Sequence, residues 1–387
     1  MLNASRNGET SGDVSINASG PLNIRGARSI ALNAVMQYGL YAPGTTITQA
    51  MLDKFDVASQ SFIKAAYNNN LAAGQLTSSL QSKLNGLTAY GSTFHLRPGV
   101  DIASGGDLST VGDIDLAKYR YGPNADRNPS SANYGAGEAM SLVIRAGGNL
   151  TIGGSISDGF KGVAGVPPTL SVVQSIATNT SFTLVSGFYR LASGTVVVTD
   201  PNGWVVPSGV AGSRRPRSTN GTLYDAGTRI PYNTVLNTLF VPQASVTSSN
   251  NVFSTTVDPG APGYAPTSAM AGMLAPGAQS ASIRLVAGAD LAAASSRMLR
   301  PISQLGTSGN LVLNNTQSGT ISANGIPVPS VLRTGTGSLD LLAGNNLTMS
   351  SLYGVYTAGT DTGITGLASG TYMPDHGGDL TVLAQGN

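Results

Sequence analysis

Apolar and polar residues alternate in short runs along much of the chain, and the runs return at a fixed step. In SLVIRAGGNLTI (141–152) the pair Leu142/Ile144 is followed eight residues later by Leu150/Ile152. Nearly the same phrase recurs as SIRLVAGADL (282–291) and SLDLLAGNNLTM (338–349), and a partial copy closes the chain at 380–387. Aligned, Leu142, Ile283 and Leu339 coincide, as do Ile144, Leu285 and Leu341. Gly147, Gly288 and Gly344 follow, then Asn149, Asp290 and Asn346, then Leu150, Leu291 and Leu347. The same step links Val14/Ile16, Leu22/Ile24 and Ile30/Leu32, and more loosely Val100/Ile102, Leu108 and Ile114/Leu116.

Strict alternation is strand periodicity. Gly and Asn between the pairs suit sharp corners, because both tolerate positive φ. Short strand, corner, short strand with one apolar face describes a unit that cannot bury that face alone, so successive units must stack. The expected fold is all-β, a parallel right-handed β-helix whose corner asparagines form ladders from one turn to the next. An antiparallel sandwich with frequent glycine turns is the competing architecture. Recurrence of the eight-residue step in distant places favours the β-helix.

Two stretches break the pattern. Between 46 and 90, Met51, Phe55, Ala58, Phe62 and Ala66 form a helical stripe, which Leu76, Leu80, Leu84 and Leu87 resume after Asn68-Asn69-Asn70. A capping box of Thr46 and Gln49 would open it and Gly86 would close the second helix. This predicts a helical hairpin inserted among strands, either a lid on neighbouring turns or a projection that binds a partner. Residues 159–280 mix strand-like runs around Asp200-Pro201-Asn202-Gly203 with a Pro/Gly/Ser-rich stretch, predicting an insertion of loops and β-hairpins. The β-helical turns are then expected over 1–45, 91–158 and 281–387.

Composition narrows the setting. Charged residues are 10% of 387, the net charge is +2 and there is no cysteine. A weak field argues against bulk nucleic-acid binding, and absent cysteine removes disulfides and thiolate chemistry. No apolar run is long enough to span a bilayer. The N-terminus MLNASRNGET lacks a signal segment while the repetitive pattern begins almost at once, so we expect a fragment of a longer protein with its export signals removed.

The phrase, apolar-x-apolar-x-Ala-Gly-x-(Asn/Asp)-Leu, resembles the repeats of the filamentous haemagglutinin family, large exoproteins of Gram-negative bacteria exported by two-partner secretion. SLYGVYTAGTDTG (351–363) resembles a region downstream of the shaft in such proteins. The resemblance covers about half the chain and implies a right-handed β-helix, an outer-membrane transporter as partner of the full-length parent, and adhesion to a host or bacterial surface receptor or glycan. The family's secretion domain is not evident, and its Asn-Pro-Asn signature has only a poor echo in Asp200-Pro201-Asn202-Gly203.

Candidate chemistry is sparse. His95 and His376 stand without a Gly-x-Ser-x-Gly elbow, and we expect no catalytic residue, metal or cofactor. Asp101, Asp107, Asp113 and Asp115 are the densest carboxylates and carry the alternative of a carbohydrate-active β-helix enzyme, a lyase or hydrolase. A delivery stick of a contact-dependent toxin system is the other alternative. Binding is expected on loops held by a rigid scaffold. Arg214, Arg215 and Arg217 concentrate charge there and could grip sulfated or acidic glycans bidentately. Trp204 and Tyr224, with Tyr189 and Tyr232, would add aromatic area.

Overall fold

The aligned positions of the repeated phrase sit side by side in space. Val100, Leu142, Ile283, Leu339 and Leu380 are successive register partners, and so are Ile102, Ile144, Leu285, Leu341 and Val382. The structure, a computed structural model, describes all residues except 1, 28, 162–168, 175–181, 192–193, 199–203, 208, 232, 243–245, 250–251, 257–271, 315–329, 351–352 and 365–373. It divides into two compact units, one of Met1–Ala164, Ala271–Thr316 and Pro329–Asn387, the other of Gly165–Met270 and Gln317–Val328.

The first unit contains three sheets whose strands are all parallel. A seven-stranded sheet runs in spatial order Leu2–Ser5, Ile30–Tyr41, Phe94–Ser104, Ser141–Ala146, Ser282–Ala287, Leu339–Ala343 and Leu380–Ala384. A five-stranded sheet holds Thr45–Ile47, Leu108–Val111, Leu150–Gly153, Leu311–Asn314 and Leu347–Met349. A four-stranded sheet holds Ile114–Asp115, Ile156–Ser157, Ser330–Thr334 and Tyr353–Thr357. From residue 94 the chain makes four passes, each visiting the three sheets in that order. One face of the inner strands turns to a shared core in which Leu142, Ile144, Leu150, Ile152, Ile156, Leu285 and Leu311 are fully buried. Burial of each such side chain contributes about 1.5–3 kcal/mol.

Side-chain amides lock the corner between the first two sheets. The Asp107 carboxylate accepts the Asn149 N–H at 2.7 Å. Asn149 Oδ1 accepts the Asn310 N–H at 3.0 Å and its Nδ2 at 2.8 Å. Asn310 Oδ1 accepts the Asn346 N–H at 3.3 Å, and Asn346 Oδ1 accepts the Asn387 N–H at 2.8 Å. A shorter ladder marks the next corner, where Asp113 accepts from the Ser155 N–H at 2.7 Å and Ser155 Oγ from the Val331 N–H at 3.1 Å. The phrase's glycine answers to crowding as much as to φ. Gly288 has φ +68°, but Gly147 is required because a Cβ there would lie 2.6 Å from the Gly105 carbonyl oxygen of the preceding pass.

Several expectations are corrected. Asp290 and Leu291 leave the register: Asp290 Oδ1 caps a local turn at the Ala292 N–H, and the chain makes an excursion before Asn310 and Leu311 take the corner and strand positions. The early pairs Val14/Ile16 and Leu22/Ile24 form no strands. Their segment is held by the helical region instead. Lys83 pairs with Asp13 at 2.7 Å, the Ala18 carbonyl accepts from Gly86, and the Tyr90 hydroxyl donates to the Leu22 carbonyl while accepting the Ile24 N–H, both at 2.6 Å.

The helical stripe folds as the helix Gln49–Ala66, followed by short helices Ser78–Lys83 and Asn85–Thr88. Its cap is Thr48, whose hydroxyl accepts from the Met51 N–H at 3.3 Å. The expected box fails because Gln49 is used elsewhere: its Oε1 accepts the Asp115 N–H at 2.6 Å. Leu52, Phe62, Ile63, Leu80, Leu84 and Leu87 belong to the same core as the strands, so the segment covers that core as a lid. No described helix is long and apolar enough to cross a membrane.

The second unit is antiparallel. A six-stranded sheet orders Arg217–Ser218, Val235–Thr238, Val196–Val198, Thr169–Gln174, Val252–Thr256 and Val246–Ser249, with a three-stranded sheet of Phe182–Val185, Phe188–Leu191 and Phe240–Pro242. Its own core gathers Val196, Val198, Trp204, Val206, Tyr224, Ile230, Leu236 and Val241. The predicted turn at Asp200–Gly203 and Tyr232 lie outside the described residues.

Candidate functional site

The residues nominated for binding do not form one surface. Trp204 is fully buried and Tyr224 is 3% exposed, both inside the second unit's core, so neither offers area to a ligand. Large aromatic rings go inside wherever a core has room for them, and that unit supplies the room. The arginines are partly spent on internal contacts. The Arg214 guanidinium lies 4.4 Å from the Phe188 ring centroid, and Arg215 reaches Asp225 at 3.2 Å. Arg217 is exposed at the start of a two-residue strand.

The carboxylates behind the enzyme reading have structural partners. Asp107 and Asp113 accept the corner amides described above. Asp115 accepts the Ala117 N–H at 2.9 Å. Asp101 is bound by Arg145 through two hydrogen bonds, 3.0 and 2.6 Å. His95 meets Glu138 at 2.6 Å and Arg97 meets it at 2.8 Å. Those two partners hold the Glu138 carboxyl below its ordinary range even though burial pushes it up. His376 lies 3.1 Å from Asp375 at the surface.

Two clefts were not foreseen. The first crosses the outer face of the seven-stranded sheet. Strand alternation that sends Val100, Leu142 and Leu285 inward sends their neighbours outward. Asp101, Val143, Arg284 and Asp340 thus stand in one row across four adjacent strands, with Arg145 in the row beside it. Arg284 binds Asp340 at 2.7 Å and donates to Ser296 Oγ at 2.6 Å, and Arg297 reaches Asp340 at 3.3 Å. Asp101, Arg145 and Asp340 are each 7% exposed or less. The loop 291–297 walls a groove of about 680 Å3 over this floor, completed by Asn3, Ser5, Gln37 and Ser141. The signal available in the sequence was charge at outward positions of the aligned strands.

The second cleft, about 440 Å3, opens between the long helix and residues 120–127. Asp56 is held there by both terminal nitrogens of Arg127, 2.7 and 2.8 Å, and by the Tyr121 hydroxyl at 2.8 Å. Burial raises Tyr121 well above the ordinary phenol range. Beneath it Arg120 and Asp158 form a fully buried pair at 2.6 Å. Asp115 is pushed up to about 6 by burial, against the Ala117 hydrogen bond, and by the Asp158 charge. Asp56 with Arg127 and Asp158 with Arg120 are matched pairs, which fits an anchor for the helix. Among the described residues no three His, Asp or Glu side chains converge as a metal ion would require.

No protein-family model matches the chain, and no curated protein or solved structure matches it.

Proposed function

We propose that the chain is a segment of a secreted bacterial cell-surface adhesin, in which a right-handed parallel β-helix serves as a rigid scaffold for surfaces that bind a host cell, a neighbouring bacterium or a glycan. The full-length parent would cross the outer membrane through a two-partner transporter. The observation that carries this reading is the in-register stacking of the repeated phrase. Four successive passes place the same apolar positions on one another and join them by a corner amide ladder. Such a stack is stiff, extendable by repetition and free of cysteine, which suits a surface protein that must hold loops at a distance. The acidic residues with the densest clustering are engaged in corners and ion pairs, which favours a binding role over turnover. The test is a binding screen of the purified chain on cell surfaces and glycan panels, with product analysis alongside. Saturable attachment with intact glycans supports the adhesin. Release of unsaturated or reducing-end oligosaccharides, abolished by Asp107→Asn or Asp113→Asn, would replace it with a carbohydrate-active enzyme.

A further inference from the structure

The groove on the outer face of the seven-stranded sheet has a composition that selects its ligand. It crosses five strands, from Leu2–Ser5 to Ser282–Ala287, four spacings or about 19 Å. Its volume falls within the range of about 300–1,000 Å3 usual for small-molecule sites. Arg6, Arg145, Arg284 and Arg297 line it, against the carboxylates of Asp101 and, at its end, Asp340. Arg145 is matched by Asp101 and the Arg6 charge is offset by Glu9, but Arg284 and Arg297 share the single carboxylate of Asp340, which leaves a positive excess at that end that favours an anion. Arg6 is turned inward onto the Ala34 carbonyl at 3.0 Å and Ser59 at 2.9 Å, so it supplies field more than contact. Arg297 is half-exposed on the loop wall and makes the longest of the pairs to Asp340, at 3.3 Å.

Two features narrow the anion. Asp101 lies in the floor, so a continuous phosphate backbone would be laid against a carboxylate. None of the residues lining the groove is aromatic, so nucleobases would find no stacking platform. A ligand is needed that offers hydroxyls in the floor and an acidic group at the wall. Asp101 and Arg145 present an acceptor and a donor set side by side, 2.6 Å apart. A pair of ring hydroxyls meets both, one donating to the carboxylate and one accepting from the guanidinium. Asn3, Ser5, Gln37 and Ser141 extend the same chemistry along the rim.

We infer that this groove binds an acidic oligosaccharide, with ring hydroxyls over the Asp101–Arg145 pair and a carboxylate or sulfate on Arg284 and Arg297. The inference rests on reading the chain as a binding scaffold, and it places the glycan on the sheet face instead of on the arginine loop.

The test is calorimetric titration of the full chain with three probes: an oligogalacturonate for the carboxylate, a heparin-derived oligosaccharide for the sulfate, and a neutral dextran oligomer. One acidic probe should bind and the neutral one should not. Arg297→Ser removes a charged hydrogen-bond donor and should weaken binding by about tenfold. Ser141→Trp, which fills the floor, should abolish it, and Ala294→Trp does the same from the exposed wall should the floor variant fail to fold. Melting temperatures within a degree or two of the parent establish folding. Full affinity in Ala294→Trp, or no binding of either acidic probe, overturns the groove. If instead the triple variant Arg214→Ser, Arg215→Ser, Arg217→Ser alone loses binding, the groove falls while the scaffold reading stands. Absence of attachment to any glycan or cell removes both.

Discussion

The first unit pairs strands from successive passes in parallel, whereas the second pairs its strands antiparallel, and the contrast decides what each sequence had to look like. In a parallel stack, equivalent positions lie on one another. Leu142, Ile283 and Leu339 touch because they hold the same place in the same phrase. One solution to the corner, an acidic or amide side chain accepting the next pass's N–H, can therefore be reused, and it is reused from Asp107 to Asn387. Antiparallel pairing brings together residues met in opposite order, as in Val196 with Leu236 and Val198 with Val172. Nothing there needs to repeat, and a single large ring such as Trp204 can fill the centre. A stack also leaves its ends bare, and the helix Gln49–Ala66 with its two short successors deals with this by covering the core.

Removing that cover should have the largest effect. Replacing residues 49–88 with a Gly/Ser linker deletes Leu52, Phe62, Ile63, Leu80, Leu84 and Leu87 from the shared core. It also strands the buried Tyr121 hydroxyl without Asp56. We expect the first unit to lose its cooperative unfolding transition by circular dichroism. The only tryptophan, Trp204, lies in the other core and should still report a normal transition by fluorescence. A deletion that lost only helical signal and kept the β transition would make the segment a dispensable projection.

Point substitutions separate the two cores more finely. Leu285 is fully buried, and Leu285→Asp should cost several kcal/mol by burying an unpaired carboxylate. The fluorescence transition should stay in place. Leu236→Ala in the second unit should lower the fluorescence transition by about 2–5 kcal/mol and leave the first unit unmoved. Urea melts followed by both probes check this, and coincident shifts of both probes would merge the units into one cooperative body.

How much of this was legible follows from the same contrast. The register of Ile144, Leu285 and Leu341, the corner role of Asn149 and Asn346, and the helical stripe were all read from periodicity, because stacking and helix faces impose periods. Asp290 and Leu291 misled because they copy the phrase just where the chain departs on an excursion, and Asn310-Leu311 complete it twenty residues late without the Ala-Gly that flags the phrase. Val14, Leu22 and Ile24 showed the right step but pack under Lys83, Gly86 and Tyr90, which periodicity does not see. Trp204 and Tyr224 stand outside every repeat, which suggests a surface, yet they fill the second core, where no period marks the buried positions. The groove was hidden for another reason. Asp101 and Arg145 are 44 residues apart, and only the strand register makes them neighbours.

A titration tests whether the helix anchor is under electrostatic strain. The Asp115 carboxyl is raised to about 6 in the folded chain, chiefly by burial, against about 3.9 when unfolded. The folded state therefore binds the extra proton between about pH 4 and 6. This contribution to stability is full below about pH 4 and is lost as pH rises through about 6. Asp115→Asn keeps an oxygen to accept the Ala117 N–H and removes the charge. It should raise the first unit's stability by about 1–3 kcal/mol at pH 7 and change it little at pH 4. Tryptophan fluorescence should show no pH-linked difference between variant and parent. Equal effects at both pH values would assign the change to packing.

The smallest expected effect tests the corner ladder itself. Asn310 is its middle rung: its Oδ1 accepts from Asn346, and its Nδ2 donates to Asn149 Oδ1 at 2.8 Å and to the Thr307 carbonyl at 2.7 Å. The corner is only partly buried, so water can replace some of what is lost, and Asn310→Ala should cost about 1 kcal/mol. Asn310→Asp is the sharper probe. It keeps the acceptor for the Asn346 N–H but turns the donor facing Asn149 Oδ1 into a second acceptor, as Asp107 can tolerate only because nothing in the ladder precedes it. We therefore expect the aspartate variant to be at least as unstable as the alanine variant at pH 7 and to recover in acid, where a protonated carboxyl again donates. Chemical denaturation of both variants at pH 7 and pH 4 measures the difference. If aspartate proves harmless at pH 7, the side-chain rung between Asn149 and Asn310 contributes nothing, and the corner is held by the side-chain oxygens that accept backbone N–H groups.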